Sequence, residues 1–239
     1  MQWHYEIAAV DAITLYFGRD IELAQVARIQ AAQDALATAL KERVIDMVPA
    51  YTSLLLRYDL RQDDLAHLLA DIAPVLAALP EVLEVDHDAP VIDLPVYYAP
   101  EVGPELPLLA ERSGLTIDQV IECHSALVYQ VFAIGFAPGF AYLGEVAETL
   151  RTPRLATPRK RVPVGALGIA DSQTAIYPLV SPGGWNLIGR TPEAMFRPDQ
   201  TPPSRLQAGQ QVKFCPINRE RYLEMGGRLD DLPWQQEAH

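Results

Sequence analysis

From Tyr5 to Phe17 the chain is rich in β-branched and aromatic residues, a strand-like stretch that Gly18, Arg19 and Asp20 break. Asp20 can cap a helix from about Ile21 to Glu42, whose Val26, Ile29, Leu36 and Leu40 fall near one stripe. Two short apolar runs around Pro49-Ala50-Tyr51, within Val44 to Tyr58, predict paired strands. Asp63 and Asp64 are placed in the first turn of a second helix, with Leu65, Leu68, Leu69, Ile72, Leu76 and Leu79 at helical spacing until Pro80 ends it. Val82 to Val85 reads as a last strand. Strand, helix, strand, strand, helix, strand is the ferredoxin-like pattern, with two helices on one face of a four-stranded sheet, here over residues 1–87. Asp86-His87-Asp88-Ala89-Pro90 is charged, short and stopped by proline, as a linker would be.

The rhythm then changes. Val91 to Tyr98 predicts a strand, followed by helices around Glu105 to Arg112 and Ile117 to Ala126. Gly114 suits the left-handed position after the first, and Thr116 with Gln119 forms a capping box for the second. From Tyr129 onward no further helix is convincing, and short strands punctuated by Gly and Pro turns recur to Cys215 and predict a barrel over residues 91–239. The expected class is thus α+β in two domains. Ser125 to Gly144 carries no charge for about twenty residues, the length of a membrane span. Gln130, Gly135, Pro138, Gly139 and Gly144 favour a buried strand and a loop instead.

Composition narrows the function classes. A chain of 239 residues, 49% hydrophobic, has enough apolar material for proper cores. Its net charge of −12 argues against general attraction to nucleic acid or to an anionic membrane, which needs clustered basic residues on one face. Cys123 and Cys215 show no metal-ligand or disulfide spacing and read as two buried thiols of a cytoplasmic protein. The start, Met1-Gln2-Trp3-His4-Tyr5-Glu6, has no secretory pattern. Neither G-x-x-x-x-G-K-[ST], G-x-S-x-G nor H-E-x-x-H occurs, so a self-contained ATPase or metallohydrolase is not supported and no protein-bound metal is expected.

One segment reverses the sign of the chain. Arg151, Arg154, Arg159, Lys160 and Arg161 fall within eleven positions, and no Asp or Glu occurs between Glu148 and Asp171. A guanidinium offers a planar fork that matches a carboxylate or phosphate through two bonds. Arg159 and Arg161 would share a face of a regular strand and Arg154 would oppose them, although Pro153, Pro158 and Pro163 work against regularity. Anion binding, docking on an acidic partner surface and a solvated edge all remain open for this segment. Tyr142, Gln173, Tyr177 and Trp185 are candidates to line a small polar pocket, though buried Tyr and Trp also find partners for structural reasons. His124 is a candidate for proton transfer or a satisfied structural histidine.

The Gly- and Pro-rich elements form a recognisable series. They are Gly135-Phe136-Ala137-Pro138-Gly139-Phe140-Ala141-Tyr142-Leu143-Gly144, Ala156-Thr157-Pro158-Arg159, Arg161-Val162-Pro163, Gly165, Gly168-Ile169, Ser172-Gln173-Thr174, Ile176-Tyr177-Pro178 and Ser181 through Thr191. In order and spacing this series resembles the family of the bacterial 5-oxoprolinase B subunit, also called the KipI or allophanate hydrolase subunit 1 family. The resemblance implies a cyclophilin-like β-barrel for the second domain. It also implies a role beside a homologous C subunit and a separate A subunit in opening 5-oxo-L-proline to L-glutamate. The cofactor it implies is ATP with magnesium, bound with or by the partners. His124 and Tyr177 are the catalytic candidates it suggests, and Tyr142, Arg154, Arg159, Arg161, Gln173 and Trp185 the substrate-binding ones. The three arginines are expected at the junction with the C subunit, on the substrate carboxylate or a phosphate.

Alternatives within the family are inhibition of a sensor histidine kinase and a urea- or allophanate-type amide-processing role, for which this chain has no biotin-accepting Met-Lys-Met. Prolyl isomerase activity would rest on fold analogy alone. Asp171 and Ala175 stand where the family commonly has glycine. A carboxylate at Asp171 is expected either to repel an anionic ligand or to pair with an arginine.

Overall fold

The computed structural model of the chain describes residues 2–19, 23–80 and 89–236. Contacts divide it into two compact units, Met1–Asp88 and Ala89–His239. In the first, β1 (His4–Ala9), β2 (Ala12–Tyr16), β3 (Val44–Ala50) and β4 (Ser53–Tyr58) form an antiparallel sheet in the order β1-β2-β4-β3, accompanied by α1 (Leu23–Leu40) and α2 (Leu65–Ala77). Alternation decides its inner face: Ile13 and Leu15 on β2 and Leu54 and Leu56 on β4 are buried, and they meet Ile29, Leu36 and Leu40 of α1 and Leu68, Ile72 and Leu76 of α2.

The stretch read as one strand from Tyr5 to Phe17 is instead a hairpin. It turns at Val10 and Asp11, held by Arg57 Nε on Asp11 Oδ2 at 2.7 Å and by the Tyr58 hydroxyl on the Val10 carbonyl. The four strands are therefore complete before α2. The strand expected at Val82 to Val85, the cap expected at Asp20 and most of the expected linker lie outside the described residues. Asp64, placed by periodicity inside the first turn of α2, is its N-cap and accepts from the His67 N–H, while Asp63 binds Arg43.

The second unit contains β5 (Val91–Tyr97), α3 (Leu106–Ser113), α4 (Ile117–Ser125), β6 (Val128–Ile134), β7 (Ala141–Gly144), β8 (Arg159–Val162), β9 (Ala166–Ala170), β10 (Gln173–Ile176), β11 (Ser181–Gly183), β12 (Asn186–Arg190), β13 (Gln211–Ile217), α5 (Arg219–Glu224) and α6 (Pro233–Gln236). Seven strands run β6-β13-β5-β12-β9-β10-β7, and β7 pairs back to β6, so the sheet closes into a barrel. All seven contribute to one core that also takes up Leu106 and Leu109 of α3 and Val120 of α4. Gly114 ends α3 at φ +69°, and the capping box of Thr116 and Gln119 starts α4. The uncharged run from Ser125 is β6, a loop and β7, and no helix among the described residues is long and apolar enough to cross a membrane. The expectation of no helix after Tyr129 is corrected by α5, which Asn218 caps through the Arg221 N–H, and by α6.

Candidate functional site

Strand β10 serves two environments because its side chains alternate. Thr174 and Ile176 face the barrel core, whereas Ala175 and the following Tyr177 face a second cluster on the other side of the sheet. That cluster has a floor of small residues, Ala166, Ala170 and Ala175, and a wall of aromatics. Phe140 stands at its centre and packs edge-on against Tyr142, Tyr177 and Trp185 at ring separations of 4.9, 5.4 and 5.7 Å. Gly183 is required by this packing, since a Cβ there would lie 2.2 Å from the Tyr177 hydroxyl.

Burial raises the Tyr177 pKa to about 12, against opposing effects of the Trp185 backbone N–H on its oxygen and of the nearby charges of Arg154 and Arg159. Tyr177 is therefore protonated at neutral pH and, with its oxygen already accepting, has its proton to donate. The basic segment is fastened beside it. Leu155 N–H bonds to the Gly184 carbonyl at 2.7 Å, and Asn186 Nδ2 donates to Pro153 O at 2.9 Å and Ile169 O at 3.2 Å. The Pro-Gly-Gly-Trp-Asn run is thus what positions the arginines.

Arg159 and Arg161 part company. The β8–β11 pairing slips in register between Ser181↔Val162 and Gly183↔Arg159, which places three steps on β8 opposite two on β11. Strict alternation is lost: Val162 is buried in the aromatic cluster, Arg159 is half-buried beside it, and Arg161 is exposed. Arg154 is also exposed, yet near enough to act on Tyr177.

Two residues at this site carry no signal in the sequence. Glu105, just ahead of α3, binds Arg159 Nη2 through Oε1 and accepts the Leu187 N–H through Oε2 at 2.9 Å. Trp234, in α6, lies with its ring centroid 5.8 Å from the Arg159 Cζ and donates Nε1–H to Glu101 O at 2.9 Å. Arg159 Nη1 is buried and has no hydrogen-bond partner among the described residues. Neither Glu105 nor Trp234 lies in the Gly- and Pro-rich series, and only folding brings residues 105, 159 and 234 together.

His124 lies on the opposite side of the sheet, fully buried. Its Nδ1 is 2.8 Å from the Tyr98 hydroxyl and its Nε2 is 3.0 Å from Thr174 Oγ1. Thr174 gives its only proton to Gly168 O at 3.1 Å, so it accepts from Nε2–H, and Nδ1 accepts from Tyr98. Burial lowers the His124 pKa to about 3, keeping the ring neutral. Phe214 stacks on it at 5.0 Å. Both nitrogens are in use, and this histidine sits apart from the cluster that holds Tyr177.

Gln173 begins β10, paired with Ala170 and Gly144, and is half-buried. Asp171 has φ +54°, the left-handed region where glycine is at home and aspartate is among the better-tolerated replacements. Its side chain is exposed and pairs with no arginine among the described residues. Ala175 occupies a regular strand position, and its methyl group lies in the floor of the cluster. Cys123 and Cys215, expected buried, are half-buried free thiols. Among the described residues, Asp63, Asp64 and His67 are close enough to share a cation, but they are occupied in capping α2 and binding Arg43.

The description "carboxyltransferase domain, subdomain C and D" fits residues 3–206 of the chain. The 5-oxoprolinase B subunit of Bacillus subtilis (strain 168) is 34% identical over 236 residues, 93% of this chain and 96% of that protein. This chain belongs to the 5-oxoprolinase B-subunit family. Among solved structures, TTHA0988 is 38% identical with a TM-score of 0.74; the match takes in 87% of this chain but only 40% of TTHA0988. Urea amidolyase from K. lactis shares the fold at a TM-score of 0.68 and 16% identity, over 93% of this chain and 15% of that one.

Proposed function

We propose that this chain is the B subunit of an ATP-dependent 5-oxoprolinase and that its aromatic and arginine cluster binds 5-oxo-L-proline. The observation that carries the reading is Arg159, held in place by Glu105 beside a Tyr177 hydroxyl that has a proton to donate, with the family membership behind it. The substrate is a five-membered lactam bearing a carboxylate. A guanidinium suits the carboxylate, a neutral phenol suits the lactam carbonyl as it gains negative charge, and the flat walls of Trp185 and Tyr142 suit the ring. Arg154 adds long-range attraction from the rim. His124, closed off on the other face, acts as a structural tie and not as a proton carrier.

The donor set does not fit a magnesium–nucleotide site, because its carboxylate, Glu105, is committed to Arg159 and to the Leu187 N–H. We assign ATP and its magnesium to the partners, the A and C subunits, in a cytoplasmic complex. The extent of TTHA0988, less than half of which this chain matches, agrees with a protein that works beside further domains. The finer fold reading is a cyclophilin-like barrel with a ferredoxin-like first unit, in which β1 takes the sheet edge beside β2.

The test is reconstitution with the C and A subunits and an ATP-coupled assay of L-glutamate formed from 5-oxo-L-proline. Arg159→Ala is expected to abolish most turnover, whereas Arg161→Ala, on an exposed side chain, loses little. An Arg159→Ala complex that assembles normally and keeps wild-type kcat/KM would overturn the assignment.

A further inference from the structure

Resting on that reading of the arginine site, we infer that residues 231–234 form a removable cover and that Trp234 is the residue that closes it. The Trp234 ring packs against the cluster of Phe140, Tyr177 and Trp185 and lies over the Arg159 guanidinium. Beneath it, Arg159 Nη1 is shut away from water with no acceptor among the described residues. A buried donor without a partner is unfavourable, and the attraction of the guanidinium for the indole face offsets it. A carboxylate or phosphoryl oxygen that reached Nη1 would supply the missing acceptor.

Asp231 is held by more bonds than Trp234. Arg190 is buried and grips Asp231 through Nη1 and Nη2 at 2.6 and 2.9 Å, donates Nη1 to Arg228 O and gives Nε to Val164 O. Leu232 is buried as well. Two residues further on, Trp234 is half-buried, and among the described residues its side chain is held by one hydrogen bond to a backbone carbonyl and by packing on Arg159 and the aromatic cluster. Swinging the indole away breaks that one bond while the clamp at Asp231 stays shut. Ligand binding and opening are then coupled: an anion stabilises the open form, and the indole competes with it for Arg159.

Phenylglyoxal, which reacts with accessible guanidinium groups, reads the cover without any partner or turnover. The folded chain is treated with the reagent and the modification rate of Arg159 is followed by peptide mass, with Arg161 as the exposed reference. Removing the indole in Trp234→Ala is expected to raise the Arg159 rate about fivefold relative to Arg161. Trp234→Phe, which keeps a ring but loses the bond to Glu101 O, is expected to raise it about twofold. An unchanged Arg159 rate in Trp234→Ala overturns the inference. If that variant's melting transition shows it does not fold, Trp234→Phe decides, and wild-type protection there overturns the inference equally. Failure here would leave the substrate assignment untouched, because that assignment stands or falls on turnover by the Arg159→Ala complex.

Discussion

The two sides of β10 hold the two polar groups that most resemble catalytic machinery, and they are built in opposite ways. On the core side, His124 has a partner for each nitrogen, an aromatic ring against its face and no exposure. On the other side, Arg159 has a carboxylate for one nitrogen, an indole over its face and a second nitrogen with no partner among the described residues. A buried polar network in which every group is satisfied specifies a core, while one left short of an acceptor can take up a ligand. Residue type alone would rank the histidine first; counting hydrogen bonds reverses the order.

The largest effect that would break this contrast is at Arg159. Arg159→Ala is expected to lower kcat/KM for 5-oxo-L-proline in the reconstituted complex by about 100- to 1,000-fold, the range for a lost charge-stabilising donor. Replacement of His124 acts on stability instead. His124→Leu strands the Tyr98 hydroxyl and takes the incoming donor from Thr174 Oγ1, which still bonds Gly168 O, and is expected to cost about 2–4 kcal/mol in urea unfolding, with kcat/KM per folded molecule unchanged.

Acid separates the same two sides. The His124 pKa is about 3 when folded, below its unfolded value, so the unfolded chain binds the extra proton. The stabilisation is whole above about pH 6.5 and declines as pH falls toward the folded value, by at most about 1.4 kcal/mol per pH unit. Urea midpoints at a series of pH values are expected to show this slope in the wild type and to lack that share of it in His124→Leu.

Smaller changes sharpen the picture. Tyr177→Phe removes the one donor expected on the lactam carbonyl and is expected to lower kcat/KM about tenfold, near the worth of one hydrogen bond. Asp171→Gly relieves a left-handed backbone at the β9–β10 turn and is expected to raise stability by about 0.5–1 kcal/mol, read as a higher melting temperature, without moving either cluster.

Local rules are legible wherever the chain declares its own structure nearby. The capping box at Thr116 and Gln119, the stop at Gly114, the apolar stripes of α1 and α2 and the paired β3 and β4 all depend on residues within a few positions of one another. The hairpin hidden in Tyr5 to Phe17 is not legible in this way, because Val10 and Asp11 are not a strong turn pair and what holds the turn is Arg57 and Tyr58, far along the chain. α5 escapes a periodicity reading because it is short and its cap at Asn218 follows directly on a strand.

The site divides along the same line. By itself the amino-acid order determined that a basic, proline-stiffened segment and a set of aromatics belong to one family pattern, because Gly, Pro and Arg carry their constraints wherever they stand. It could not separate Arg159 from Arg161, since a one-residue slip between β8 and β11 turns one inward and leaves the other in water. Nor could it set His124 and Tyr177 on opposite faces, or bring Glu105 and Trp234 to one guanidinium. Those outcomes depend on register and on contacts between residues 54 and 75 positions apart, which exist only once the barrel has closed.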